Sequence, residues 1–150
     1  MDIIQKAEEF AKKEYKKNDS FHQWSHIQNV LKRALEIAEQ LKDVDYEVLK
    51  LAIIFHDIDY RKYETHVEAS IEVAETFLKK EGYPKERIEK VKEIMLNHSS
   101  PHRRKFGEAK LLEGKIIYDA DKSISMGDAE FYKKYYIKLY LDETRKLVKK

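Results

Sequence analysis

Leu51-Ala52-Ile53-Ile54-Phe55-His56-Asp57 is an apolar run that ends in an imidazole and a carboxylate. Preceded by Val48 and Leu49, the run predicts a helix that is apolar on most sides and therefore buried. His56 and Asp57 are carried inward at its end. Two such groups are costly to remove from water unless something binds both, and a metal ion is the natural candidate. One short stretch thus predicts a central helix and a place to look for chemistry.

Outward from that stretch, apolar residues recur at intervals of three and four almost everywhere, and the chain holds only four Gly and two Pro. That pattern predicts an all-α fold. A charged first helix spans Asp2 to Lys17, and after Asn18-Asp19-Ser20 a second runs from about Ser25, as N-cap, to Leu41. Asp45 caps the third helix, which ends near His56-Asp57. A fourth is expected from about Thr65 to Glu81, with Gly82 as its C′ residue and Pro84 in the first turn of a fifth. Pro101 disfavours helix at Ser100, so Ser99 to Gly107 reads as a loop. A sixth helix is expected from roughly Glu108 to Met126 and a last one from about Asp128 onward. The expectation is one domain over residues 1–150, a compact bundle of about seven helices.

Lys and Arg number 30 against 28 Asp and Glu, so the net charge of +2 argues against a nucleic-acid partner. No stretch approaches the roughly 20 apolar residues of a membrane span, and the amino end lacks a secretory signal, which leads to the expectation of a cytoplasmic protein without a membrane partner. The chain has no cysteine. Any metal must be held by nitrogen and oxygen.

Several polar residues share faces with apolar neighbours. His98 continues the stripe of Ile94 and Met95, His26 sits on the shoulder of the Ile27 and Val30 face, and His66 shares a face with Ala69, Ser70 and Val73. Asp121 follows Ile117 by four residues. Separate helices therefore each send a His or Asp toward the interior, which is how helical bundles build metal sites. Any one of them alone is more often a hydrogen-bonded core residue than a ligand. Their coincidence is what argues for a site.

His26, then His56-Asp57, then Asp121 after Asp119-Ala120 resembles the motif of the HD-domain superfamily of metal-dependent phosphohydrolases. Ser20 to Ile27 looks like its first histidine block, Leu51 to Asp57 like the strip carrying its paired His-Asp, and Gly114 to Lys122 like its final block. The resemblance spans about residues 20 to 127. It implies an HD-like fold and a divalent cation held by His26, His56, Asp57 and Asp121, with His56, Asp57 and Asp121 as the catalytic core. Two nitrogens and two oxygens suit Mn, Fe, Co, Ni or Mg better than a closed structural zinc site. His66 and His98 match the positions that bind a second metal in dinuclear members, with Asp57 bridging.

There are departures. Some members carry a glutamate three residues after the paired Asp, where this chain has Tyr60, and an acidic residue three after the last Asp, where it has Ile124. In place of the missing glutamate, Glu68, Asp59 or a hydroxide on the cation is a candidate base. The chemistry implied is hydrolysis of a phosphate ester or anhydride of a small metabolite, most of all a nucleotide. Candidate phosphate partners are Arg61-Lys62, the group His102-Arg103-Arg104-Lys105, and Lys122, with His22 lining the same pocket. Two other readings stand beside it: a non-catalytic nucleotide-binding module, favoured by the missing acids, and a di-iron oxygenase using His66 and His98. Tyr132, Tyr135, Tyr136, Leu139 and Tyr140 read as one face of an amphipathic last helix that closes the bundle or forms a homodimer contact, and Trp24 as core.

Overall fold

A computed structural model describes residues 1–149, and among them every regular element is helical. Nine α-helices follow in order: α1 Ile3–Glu14, α2 Trp24–Ala38, α3 Tyr46–Phe55, α4 His66–Lys80, α5 Lys85–Asn97, α6 Ser100–Phe106, α7 Leu112–Ser123, α8 Ala129–Tyr135 and α9 Asp142–Val148. Single 3-10 turns at Tyr15–Lys17, Tyr63–Thr65 and Tyr136–Lys138 join some of them. No described helix is long and apolar enough to cross a membrane.

α3 is the axis. Every residue from Leu51 to Phe55 is fully buried, because α1, α2, α5 and α7 surround it, with α4 against α5. α1 presents Ala7 and Ala11 four residues apart, with Tyr15 a further four on just past its end, and the two small alanines let it lie close over α3. Its start is fixed by a reciprocal pair in which the Asp2 carboxylate accepts from Gln5 N at 2.9 Å and Gln5 Oε1 accepts from Asp2 N at 3.0 Å. At the start of α3, the Asp45 carboxylate accepts from Val48 N at 3.4 Å, and Gly82 after α4 takes φ +74° as a C′ residue does.

α5 and α7 approach closely at Gly114, where a Cβ would stand 2.0 Å from Asn97 Oδ1. Only a glycine leaves that space. Because Asn97 precedes His98 and Gly114 lies two turns before Asp121, this contact brings two candidate ligands to one end of the bundle.

Four expectations are corrected. Gln23, not Ser25, is the N-cap of α2. Residues 100–106 are helical: Ser99 Oγ accepts from His102 N at 3.2 Å, and Pro101 sits in the first turn, where its missing N–H has no partner to lose. α7 is shorter than expected, starting at Leu112 after an extended approach. The last helix is broken in two, because Asp119 captures the chain between α8 and α9 through Tyr140 N at 2.8 Å, Leu141 N at 2.9 Å and Thr144 Oγ1 at 2.6 Å. The tyrosines therefore do not form one continuous face.

Candidate metal centre

His26 comes from the first turn of α2, His56 and Asp57 from the end of α3, and Asp121 from the last turns of α7. Their ligand atoms all lie within 4.8 Å of one another. His26 Nε2 stands 3.5 Å from Asp57 Oδ2 and 3.4 Å from Asp121 Oδ1, while His56 Nε2 stands 3.3 Å and 3.6 Å from the same two oxygens. A second group, Asp57, His66 and His98, meets the same limit. Here His66 Nε2 and His98 Nε2 approach Asp57 Oδ1 at 3.9 and 3.8 Å. The two oxygens of Asp57 thus face different groups.

Three of these imidazoles are oriented alike. The backbone carbonyl three residues earlier holds Nδ1 in each: Ile53 O for His56 at 2.6 Å, Tyr63 O for His66 at 2.8 Å, and Met95 O for His98. His56 and His98 close α3 and α5, and there the same carbonyl also accepts the residue's own backbone N–H, at 3.3 Å in each. A proton on Nδ1 leaves Nε2 to ligate. For His56 that atom is fully buried and has no hydrogen-bond partner. An orphaned buried nitrogen facing two carboxylates fits a cation.

Electrostatics tell the same story. Burial opposes the charged form of His26, but the hydrogen bonds it donates to Asp121 and Asp57 outweigh it and raise its pKa to about 10. His56 is raised too, against burial, by the same carboxylates. Burial likewise opposes ionisation of Asp57, yet the charge on His56 and the bond from His26 hold it well below the ordinary carboxylate range. Asp121 is held low chiefly by Lys122, whose Nζ is 3.1 Å from Oδ2. His98 is pushed the other way, to about 4, by burial and then by the charge on His56.

Sequence reasoning missed the residues that hold the His-Asp pair in place. Tyr15 Oη donates to Ile54 O at 2.6 Å and accepts from Asp57 N at 3.3 Å. Asn18 Nδ2 donates to Asp57 O at 2.8 Å and to His22 O at 3.0 Å, and its Oδ1 accepts from Tyr60 N at 2.9 Å. Both contacts span about forty residues of chain, and no local pattern announces them.

A cavity of about 530 Å³ opens onto the cluster. His22, Lys105, His102 and Lys122 line it, as do Tyr60 and Glu68. The remaining candidate phosphate partners are elsewhere. Arg61 makes a two-point pair with Asp59 at 2.9 and 2.8 Å and, with Lys62, borders a separate hollow. Asp59 is thereby spent as a base. Arg103 lies over the rings of Tyr140 and Tyr118 and donates to Lys138 O at 2.7 Å and Glu108 at 2.8 Å, so it ties α6 to the C-terminal segment. Arg104 is exposed and does not line the cavity. Trp24 is half-buried against Tyr15 and also stands outside it.

The sequence model of the HD domain matches residues 24–126, and the chain belongs to that family. Its fold is also similar to the crystal structure of a predicted HD superfamily hydrolase from an uncultured Thermotogales bacterium, with a TM-score of 0.73 and 24% identity over 96% of this chain and 82% of that one. Among curated proteins, none matches the sequence.

Proposed function

We propose that this protein is a divalent-metal-dependent phosphohydrolase acting on a small phosphorylated metabolite, most of all a nucleotide. The observation that carries the reading is the buried, unpartnered His56 Nε2 set among His26, Asp57 and Asp121. These four would hold a cation, and Asp57, His66 and His98 a second. The mixed nitrogen and oxygen donors suit Mn, Fe, Co, Ni or Mg. When bound, such a cation makes water a nucleophile near neutral pH and offsets charge growing on phosphoryl oxygens.

The chain's own residues supply the rest. Asp57 ties the two groups together through its opposite oxygens. Lys122, bonded to His98 O at 3.1 Å as well as to Asp121, holds a positive charge at the inner wall. Lys105 and His102 offer further donors in the lining, and Glu68, which shares the wall with Glu64, is a carboxylate able to accept a proton. The nucleotide reading is supported by the cavity's size and by the aromatic side chains Tyr63, Phe106, Phe131 and Tyr135 in its lining, against which a planar base can stack.

The test is elemental analysis of the purified protein followed by release of phosphate or pyrophosphate from a panel of nucleotides and phosphomonoesters. Metal-dependent turnover, lost on chelation and restored by a divalent ion, is expected. Metal-loaded protein that binds nucleotides without turnover would instead favour a binding module, and dioxygen consumption by iron-loaded protein an oxygenase.

A further inference from the structure

His66 and His98 face the same oxygen of Asp57 but are held very differently. His98 closes α5, is buried, and is packed edge-on to His56 at 4.8 Å between ring centroids. His66 is the first residue of α4, after the 3-10 turn Tyr63–Thr65, and Thr65 offers no side-chain cap to that helix. A helix start without a cap is a place where the chain frays. Something else must hold the imidazole in place.

Tyr60 is placed to do so. Its ring lies flat on His22, with centroids 3.5 Å apart and planes 9° from parallel, and its other face covers His66 at 4.0 Å and 34°. Three rings from three separate stretches therefore form one stack along the wall of the cavity. The other two members are fixed independently of His66. His22 Nδ1 bonds Asp19 Oδ1 at 2.8 Å, and Tyr60 N donates to Asn18 Oδ1 at 2.9 Å. Asn18 also grips the carbonyl of Asp57. The stack thus references His66 to the same residue that positions the bridging carboxylate. The hydrogen bond on His66 Nδ1, to the Tyr63 carbonyl, lies within its own turn.

We infer that Tyr60 is a positioning residue for the second cation, locking the His66 imidazole of an uncapped helix start into ligating orientation by stacking and not through its hydroxyl. This rests on the two-cation form of the function proposed above. Loss of an outer partner of a metal-bound imidazole weakens affinity by about 10- to 100-fold, and that is the size expected here.

The experiment is calorimetric titration of chelator-treated full-length protein with Mn²⁺, comparing wild type with Tyr60→Ala, Tyr60→Phe and His22→Ala. Wild type is expected to take up two equivalents. Tyr60→Ala should weaken the second by about 10- to 100-fold with the first nearly unchanged, and Tyr60→Phe should restore it. His22→Ala, which strips only the outer ring, should shift the second equivalent in the same direction by less, and supplies the test should Tyr60→Ala fail to fold. Equal weakening of both equivalents would mean a merely structural role and overturn the inference. So would a Tyr60→Phe variant as weak as Tyr60→Ala, or a wild type that binds one cation only. Binding of no cation at all would overturn the proposed function itself.

Discussion

The two ends of α3 carry similar residue types and opposite kinds of cluster. At the entry, Asp45 accepts from Arg87 at 3.0 and 3.1 Å, Lys90 adds a contact at 3.4 Å, and Arg87 also reaches Glu47 and the hydroxyl of Tyr83. Each charge there has a partner of opposite sign within the chain. At the exit, His56 and Asp57 meet a further histidine and a further carboxylate, and His56 Nε2 is left without a hydrogen bond. Acids and bases that satisfy one another hold a fold together. A buried group that the protein leaves unsatisfied is waiting for something else to bind.

Removing the exit cluster gives the largest effect. His56→Ala combined with Asp57→Ala should abolish stoichiometric metal binding, read by elemental analysis, and with it any phosphate release, while the helical circular dichroism signal persists. Asp57 faces both groups, so neither cation site survives its loss. Retention of one equivalent in that double variant would break the contrast between the two ends.

Gly114→Ala comes next and acts on the frame that brings α5 and α7 together. The added Cβ would overlap Asn97 Oδ1 at 2.0 Å, and relieving an overlap of that kind in a packed interior costs about 1–3 kcal/mol. A lowered midpoint in urea is the expected reading. A variant as stable as wild type would show that α5 and α7 can part freely, which would undo the argument that this contact sets His98 beside Asp121.

The entry cluster should behave in the opposite way to the exit. Asp45→Ala removes both the N-cap of α3 and the partner of Arg87, a loss of about 1–2 kcal/mol at neutral pH with metal uptake unchanged. Its pH dependence has a definite sign. Hydrogen bonds from Arg87 depress the Asp45 carboxyl below its ordinary value, so the ion pair stabilises the fold above the unfolded-state pKa of about 3.9 and is lost as pH falls through the depressed folded value. The stability gap between wild type and Asp45→Ala should therefore narrow below about pH 4.

These contrasts also explain what could be read in advance. Periodicity marks α3 and the stripes carrying His26, His66, His98 and Asp121, because a helical face needs only local spacing to be recognised. Asp45 as a cap and Gly82 as a C′ residue follow from the same local rules. What periodicity cannot carry is a contact across the chain. Asp119 lies in the same block as Asp121, yet it turns to the C-terminal segment and breaks the last helix there. Tyr15 and Asn18 belong to a charged helix and a turn, and nothing near them in sequence points to the backbone of Asp57. α6 was hidden for another reason: the rule that proline disfavours helix before it gives way when Ser99 caps the turn and Pro101 occupies it.

The smallest expected effect separates two adjacent arginines that looked alike as phosphate partners. α6 has no fully buried residue, so its basic side chains are sorted by what happens to lie beside them and not by an interior they must enter. Arg103 falls against Tyr140 at 4.0 Å and the Lys138 carbonyl, whereas Arg104 points to solvent. Arg103→Ala should lower stability by about 1 kcal/mol through lost stacking and packing, and Arg104→Ala should stay within about 0.5 kcal/mol of wild type. Neither should change kcat/KM, since neither lines the cavity. A fall in kcat/KM for Arg104→Ala, with stability unaltered, would show that the substrate extends past the mouth onto α6, and the division between structural and functional charge would have to be redrawn there.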